Sequence, residues 1–158
     1  MSLFKGNKNS HNSHNNMSLF KGNKNFARSS ADLMTSLRTV MNSKIHRATV
    51  TEADINYVGS ITIDLDLIEA ANIAEWEQIS VLNITNGSRL QTYVIPAKRG
   101  SKKICINGAA AHLTHPGDII ILVTYKTISS CTIKNHHPTI IYVNSDNEII
   151  DECDAHKL

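Results

Sequence analysis

A glycine and a serine stand side by side in a strand-like segment, where together they could carry out a reaction of the backbone. The segment runs from Asn56 to Leu67 as NYVGSITIDLDL, with Gly59 and Ser60 near its start. Glycine weakens a strand and commonly marks a bulge or a close approach of another group to the backbone. A serine hydroxyl can attack the preceding carbonyl when strained backbone holds the two together, and glycine lacks the Cβ that would obstruct the attack. The pair indicates either self-cleavage through an ester or an ordinary bulge.

The oxygen of the tetrahedral intermediate in such a reaction needs hydrogen-bond donors aimed at it. Candidate donors from other predicted strands are Thr92, Tyr93 and Asn107. The sequence has no Gly-x-Ser-x-Gly motif, which argues against an ordinary serine hydrolase. The alternative to chemistry is a bulge in which Ser60 is merely exposed or caps the chain.

Strand patterns dominate the chain that must position these residues. KIHRATVT alternates, which predicts odd-numbered residues from Ile45 on one face and even-numbered residues from His46 on the other. Asn86-Gly87 between two β-rich segments predicts a hairpin with a type I′ turn, in which both residues have positive φ. DLIEAANI predicts a short helix, GDIIILVTYKTI a central strand and PTIIYVNSDNEII the last strand. Six or more short strands with tiny helices predict a small β-barrel.

The N-terminal tail differs in composition from the rest of the chain. Residues 1–35 carry five basic residues and one acid, a net charge of +4 within a chain total of +2, so residues 36–158 carry −2. The tail contains MSLFKGNKN twice, and its Asn, Ser, Lys and Gly content buries too little apolar surface to fold. We interpret residues 1–35 as a disordered basic tail, either a cloning scar or a segment before an alternative start at Met17 or Met34.

Composition also bounds the compartment and the partners. The longest apolar run, IIILV, is far shorter than the roughly 20 residues that span a bilayer, and the N-terminus lacks the pattern of a signal peptide. Three cysteines without a C-x-x-C spacing argue against a disulfide framework or a zinc site. Few aromatic residues disfavour a nucleic-acid stacking surface. We expect a cytoplasmic protein that uses no metal and binds neither nucleic acid nor membrane.

The ordered sequence blocks of the chain closely resemble those of the pyruvoyl-dependent aspartate 1-decarboxylases. The blocks are KIHRATVTEADINYVGSITID, NGSRLQTYVI, RGS, NGAAAH and PGDIIIL, from about Arg38 to about Glu148. The resemblance implies a six-stranded double-psi β-barrel with short helices over residues 36–158, assembled as a homotetramer. It also implies a zymogen that cleaves itself between Gly59 and Ser60 and converts Ser60 to a pyruvoyl group.

The same resemblance implies the reaction. L-Aspartate would be converted to β-alanine and CO₂ through a Schiff base with the pyruvoyl group, without a metal or an external cofactor. The product would supply pantothenate and coenzyme A synthesis. Two questions stay open at this point, namely whether cleavage needs a maturation factor and whether aspartate is preferred to glutamate. One methylene is worth only about 1–3 kcal/mol in a pocket.

Matches to the family motifs imply roles for individual side chains. Tyr93 is implied to reprotonate the carbanion, and Arg89 and Lys44 to bind substrate carboxylates. Thr92 and Asn107 are implied to steer cleavage, and Thr92 also to contact substrate. Taken alone, each of these five residues is typical of a strand, a turn or the solvent surface.

Four further residues receive weaker assignments from the resemblance. Tyr57 is implied to lie near the cleavage loop and His46 near the active site, although each would otherwise be structural. A short helix beginning near Ala109 would present free N–H groups to an anion, so Ala109 and Ala110 are expected to contact a substrate carboxylate. A turn of small residues chosen for tight packing is the equal alternative there.

The chain departs from the family pattern at three places, and other functions stay open. Residues 1–35 have no counterpart, Ser43 stands where glycine is common and could redirect Lys44, and Asn72 replaces a glycine. Asparagine tolerates the left-handed conformation that such a glycine adopts. A barrel that does not process itself would be a binding or scaffolding module with an intact Ser60. A nucleic-acid binder using the basic tail would show affinity that falls with salt.

Overall fold

The computed structural model describes residues 36–155, which form a mainly β structure. The predictions about residues 1–35 lie outside the described residues. The strands are β1 (Leu37–Thr49), β2 (Glu52–Asp54), β3 (Ser60–Asp64), β4 (Gln78–Asn83), β5 (Arg89–Ala97), β6 (Ile104–Asn107), β7 (Ile119–Ser129), β8 (Thr139–Val143) and β9 (Ile149–Ile150). The helices are α1 (Leu65–Ala70), a first 3-10 helix (Gly108–Leu113), a second 3-10 helix (Ile133–Asn135) and α2 (Glu152–Ala155). None of these helices combines the length and the apolar character that crossing a membrane requires.

The strands of the described chain belong to one sheet with the order β2-β6-β3-β5-β4-β7-β1-β8-β9. Only Val50 and Thr51 separate β1 from β2, and the Thr51 N–H donates to Ile104 O of β6 at 2.8 Å. The chain thus links β1 directly to the opposite end of the strand order, an arrangement consistent with a β-barrel. The predicted mainly β fold and the interior position of β7 are confirmed. The sheet holds nine strands, because β2 and β9 are short additions and the predicted last strand is divided into β8 and β9.

Strand β1 is irregular, and this irregularity corrects the predicted alternation. Its pairing with β7 shifts register between Ile45 and Ala48, and Arg47 has a φ of 65°. An extra residue in a left-handed conformation bends a strand and displaces the faces on either side of it, as in a β-bulge. Ile45 and Ala48 are consequently both buried, whereas strict alternation predicted them on opposite faces. That prediction is wrong for this reason.

Strands β4 and β5 form the predicted hairpin, but the turn is of another kind. Gly87 has a φ of 78°, whereas Asn86 does not have positive φ, so the predicted type I′ turn is wrong. Asn83 Oδ1 instead accepts hydrogen bonds from the N–H groups of Thr85 at 2.9 Å and Asn86 at 3.2 Å. Asn83 Nδ2 donates to Asp118 Oδ2 at 2.7 Å. A buried amide therefore organises the five-residue loop that precedes β5.

Aliphatic side chains from the long strands fill one continuous core. The largest fully buried members are mostly isoleucines, which are β-branched and pack well on a pleated sheet. On β3, Ile61 and Ile63 are both 0% exposed and face this core. Because successive side chains on a strand alternate, Ser60 and Thr62 point to the opposite face of β3. The burial of Ile61 and Ile63 in the core therefore determines that Ser60 and Thr62 lie on the other face of β3.

Asp64 fixes the end of β3 relative to its neighbours. Its buried carboxylate caps α1, the predicted short helix, by accepting a hydrogen bond from the Asp66 N–H at 3.0 Å. The same carboxylate accepts from the N–H groups of Gly100, at 3.1 Å, and Lys102. The strand, the helix and the loop before β6 are therefore held together by one side chain.

The two internal departures from the family pattern contact each other. Asn72 has a φ of 53°, as its replacement of a glycine predicted. The fully buried Ser43 donates its hydroxyl hydrogen to Asn72 O at 3.3 Å. A serine at position 43 is accommodated because its hydroxyl finds this backbone acceptor.

Candidate active site

Two neighbouring strands bring Ser60 and Asn107 together. Strands β3 and β6 are antiparallel, and Ser60, the first residue of β3, lies directly opposite Asn107, the last residue of β6. Ser60 is 0% and Asn107 is 2% exposed. Asn107 Nδ2 donates to Ser60 Oγ at 2.9 Å. The structure therefore places the predicted nucleophile in contact with one of its predicted donors.

Two further side chains hold the Asn107 amide. Its Nδ2 also donates to Thr62 Oγ1 at 2.9 Å, and its Oδ1 accepts from the Cys105 thiol at 3.1 Å. The thiol donates to Oδ1, and the NH₂ group is the end of the amide that points at the Ser60 and Thr62 hydroxyls. Thr62 and Cys105 were missed by the sequence reasoning. Their signal was strand alternation, since each lies two residues from Ser60 or Asn107 and hence on the same face.

Burial raises the pKa of the Cys105 thiol. The side chain is largely removed from water, and desolvation disfavours a charged thiolate. The thiol therefore stays protonated at neutral pH, which is the form that can donate to Asn107 Oδ1. The amide orientation is accordingly insensitive to pH around neutrality.

Gly59 lies at the end of a loop and not inside a strand. Residues 55–59 connect β2 to β3, so the strand-like pattern before Ser60 was misleading. Tyr57 and Val58 are 52% and 76% exposed, whereas Ser60 is buried and its hydroxyl donates to Val58 O at 3.4 Å. A Cβ on Gly59 would meet Asn107 O at 4.0 Å, an ordinary contact. The Gly59–Ser60 bond thus joins an exposed loop to a buried strand.

Strand β5 runs parallel to β3 and carries Tyr93 beside the Ser60 pair. Ile61 lies opposite Val94, and continuing this register by one residue places Tyr93 next to Ser60 on the same face. The Tyr93 ring stacks on Trp76, with ring centroids 5.6 Å apart and an interplanar angle of 29°. This face of the sheet therefore combines a phenol, a buried hydroxyl and a buried amide.

The other two predicted residues of β5 lie at different distances from Ser60. Thr92 precedes Tyr93, lies opposite Ile79 of β4, and shares the side of β5 that the buried Val94 occupies. Arg89 begins β5, four residues before Tyr93, which is roughly 13 Å along the strand. Its side chain is exposed. Thr92 and Arg89 therefore lie one and four residues before Tyr93 on the strand that pairs with β3.

Lys44 and His46 lie on β1, which is not a neighbour of β3 in the sheet order. Lys44 is half-buried and lies opposite Val123 of β7. The His46 ring packs edge-on against Tyr142, with centroids 5.5 Å apart. The Tyr142 hydroxyl donates to Glu152 Oε1 at 2.9 Å, and this bond raises the pKa of Tyr142. These contacts are with β7 and β8, and none of them joins Lys44 or His46 to Ser60.

The first 3-10 helix directly follows Asn107, near the predicted helix start at Ala109. It spans six residues from Gly108, with Ala109 exposed and Ala110 half-buried against the core. The proposed contacts of Ala109 and Ala110 with a carboxylate stay a prediction. Within the part of the chain that the structure describes, no three His, Cys, Asp or Glu side chains are grouped as metal ligands.

Comparison with known proteins assigns the chain to a family. A family model described as aspartate decarboxylase matches residues 36–150, which include every strand of the described sheet. The chain belongs to the aspartate decarboxylase family. An aspartate 1-decarboxylase of Corynebacterium efficiens is 53% identical over 114 residues, which cover 72% of this chain and 84% of that relative. The resemblance predicted from the sequence blocks is thereby confirmed, and the chain is a decarboxylase, a carbon–carbon lyase.

Proposed function

We propose that this decarboxylase cleaves itself between Gly59 and Ser60 and then converts L-aspartate to β-alanine and CO₂. The observation that carries the proposal is the 2.9 Å hydrogen bond from Asn107 Nδ2 to the buried Ser60 Oγ. This contact lies where an exposed loop enters a buried strand. The family assignment supplies the reaction class.

Self-cleavage begins at the Ser60 hydroxyl. Its Oγ attacks the Gly59 carbonyl carbon, the Gly59–Ser60 C–N bond breaks, and the freed amine takes up the hydroxyl proton, which leaves an ester. Loss of the Ser60 α-proton then expels Gly59 as a carboxylate and leaves a dehydroalanine. One water replaces the nitrogen of that residue, ammonia departs, and the new chain terminus is a pyruvoyl group. No oxidant or reductant is required, because elimination supplies the change in oxidation state.

Asn107 and Thr92 assist this step. The Asn107 NH₂ group contacts the attacking oxygen before reaction, and a small movement aims it at the oxygen of the tetrahedral intermediate. We assign Thr92, on the neighbouring strand β5, to donate to the Gly59 carbonyl, and this role rests on the family resemblance. Thr62 and Cys105 keep the amide oriented throughout.

Ser60 suits a pyruvoyl group because it is buried, hydrogen-bonded and located at the start of a strand. That group supplies an electron sink for the pair released when the α-carboxylate leaves as CO₂. Tyr93, on the same face and stacked on Trp76, holds the proton that the product carbon receives.

Substrate carboxylates require cations, and we assign Arg89 and Lys44 to them, with the N–H groups of Ala109 and Ala110 as further donors. Arg89 presents a planar fork that suits bidentate binding of a carboxylate. Within residues 36–155 neither Arg89 nor Lys44 forms an ion pair, so both are available for an anion. We assign aspartate in preference to glutamate from the family alone.

We further propose a homotetramer whose subunits are six-stranded double-psi barrels flanked by the short extra strands. The support is the exposed apolar surface of one chain, where Ile55, Tyr57, Val58 and Trp76 are each more than half exposed. Large exposed apolar patches mark interaction sites, and we assign this one to contact with other copies of the chain. A second copy would also bring Arg89 and Lys44 to a site that one chain leaves open. We place the enzyme in the cytoplasm, supplying pantothenate and coenzyme A synthesis.

The variant Ser60→Ala tests the proposal, because it removes both the nucleophile and the precursor of the pyruvoyl group. We expect the variant to stay as one chain and to release no β-alanine from aspartate, while the wild-type protein does both. Cleavage of Ser60→Ala between residues 59 and 60 would contradict the mechanism. Wild-type protein that stays intact, even with cell extract as a source of maturation factor, would contradict self-cleavage and favour the alternative of a barrel that does not process itself.

A further inference from the structure

The backbone of the cleavage loop rests directly on Gly108. A Cβ built on this glycine would lie 2.7 Å from Gly59 Cα, 3.1 Å from Gly59 N and 3.2 Å from Tyr57 O. All three neighbours are backbone atoms of the loop, so no flexible side chain could move aside. The missing side chain of Gly108 therefore leaves the space that Gly59 occupies.

The crowding at Gly108 differs from the setting of the other glycines in residues 36–155. Gly87, Gly100 and Gly117 have φ values of 78°, 72° and 90°, similar to the 66° of Gly108. A Cβ on any of these three would meet nothing within 4 Å. Left-handed backbone alone explains glycine at those positions. Gly108 has the same backbone conformation, but in addition the backbone of the cleavage loop lies close to it.

We propose that Gly108 is a positioning residue for self-cleavage, a backbone seat that holds Gly59 against the Ser60–Asn107 pair. The inference rests on the proposed cleavage between Gly59 and Ser60. Asn107 and Gly108 are adjacent, so one dipeptide supplies both the amide that contacts the nucleophile and the gap that receives the residue under attack.

The structure indicates which side gives way if the gap is filled. Strand β6 is buried throughout, whereas Tyr57, Val58 and Gly59 belong to an exposed loop. A methyl group at position 108 would push this loop outward until the 2.7 Å separation reaches about 3.4 Å, where ordinary contact begins. The Gly59 carbonyl would move away from Ser60 Oγ. A misplacement near 1 Å can lower the rate of a positioned reaction by about 100-fold.

The test compares Gly108→Ala with the matched variants Gly100→Ala and Gly117→Ala. All three add the same methyl group at positive φ, but the last two place it in open space. We expect Gly108→Ala to slow precursor cleavage by about 100-fold, with melting temperatures similar among the variants and the controls cleaving within about twofold of wild type. Wild-type cleavage in Gly108→Ala, or equal slowing in all three variants, would overturn the proposal.

A second measurement does not depend on a stable Gly108 variant. In uncleaved Ser60→Ala precursor with the native Gly108, the α-protons of Gly59 and Gly108 should give a nuclear Overhauser effect, because the backbones touch. Absence of that signal in folded precursor would contradict the proposed contact between Gly59 and Gly108. If wild-type protein does not cleave, the proposed function fails while this contact remains testable, so the two failures are distinguishable.

Discussion

The substitution Asn107→Ala tests the chemistry of the site most sharply among single changes near Ser60. It removes the NH₂ group that lies 2.9 Å from Ser60 Oγ and leaves the Ser60 hydroxyl in place. Loss of one preorganised donor to a developing oxyanion typically lowers a rate by about 10²–10³-fold, or roughly 2.7–4 kcal/mol in the barrier. We therefore expect cleavage of the Asn107→Ala precursor to slow by about that factor.

The same substitution also affects stability, and a control must separate the two effects. Removing the amide leaves the Thr62 hydroxyl and the Cys105 thiol without their shared partner, which costs about 1–3 kcal/mol in the free energy of unfolding. Asn83→Ala removes another buried amide, which contacts Asp118 and the loop before β5. It should lose comparable stability and still cleave at the wild-type rate.

The assay follows the intact precursor and its two fragments by denaturing gel electrophoresis over time after purification. Urea titration gives the free energy of unfolding of each variant in the uncleaved Ser60→Ala background. Wild-type cleavage by Asn107→Ala would refute the role of the amide. Equal slowing by Asn83→Ala would show that lost stability, and not lost donation to Ser60, controls the rate.

Three further predictions concern the substrate site and the fold. Arg89→Ala should raise KM for aspartate by about 10–100-fold with cleavage unchanged, since charge-assisted hydrogen bonds contribute roughly 1.5–3 kcal/mol; an unchanged KM contradicts its assignment. Tyr93→Phe should cleave normally but lower kcat by about 10²–10⁴-fold, and a wild-type kcat would exclude it as the proton donor. Hydrogen bonds from the His115 N–H and from Asn83 lower the pKa of the Asp118 carboxyl below its ordinary 3.8. The charged carboxylate therefore stabilises the fold above pH 3.8, and this stabilisation is lost as the pH falls through the lowered pKa. Asp118→Asn should lower the free energy of unfolding by about 1.5–3 kcal/mol at pH 7, and urea titrations should show this difference shrinking below about pH 4. A difference that stays constant with pH would contradict a role for the charge.

Sequence patterns predicted the parts of the fold that depend on local apolar spacing. Strand β7 was placed in the interior of the sheet because it is the most apolar segment, and α1 was recognised from helical spacing. The bulge at Arg47 was missed, because the adjacent residues alternate regularly and the register shift arises from pairing with β7. The turn at Asn86 was missed because hydrogen bonds of the buried Asn83 with Asp118 and with the loop override the local preference of Asn-Gly for a type I′ turn.

The sequence singled out the two residues at the centre of the candidate site, but not the residues that hold them. Ser60 and Asn107 were both identified, and they are in contact in the structure. Thr62 and Cys105 do not stand out in sequence, since their role depends on which residues face Asn107 across two strands. Gly108 was not singled out from the sequence, because the approach of Gly59 is a contact between segments distant in the chain.

The central claim is that Ser60 becomes a pyruvoyl group through cleavage after Gly59. Mass spectrometry of the purified chain under denaturing conditions measures this directly. We predict two fragments, one ending at Gly59 with a free carboxylate and one beginning at residue 60 that is one ammonia lighter than the same fragment with a serine terminus. A single intact chain after incubation with cell extract, or a second fragment that retains an unmodified serine, would contradict the account.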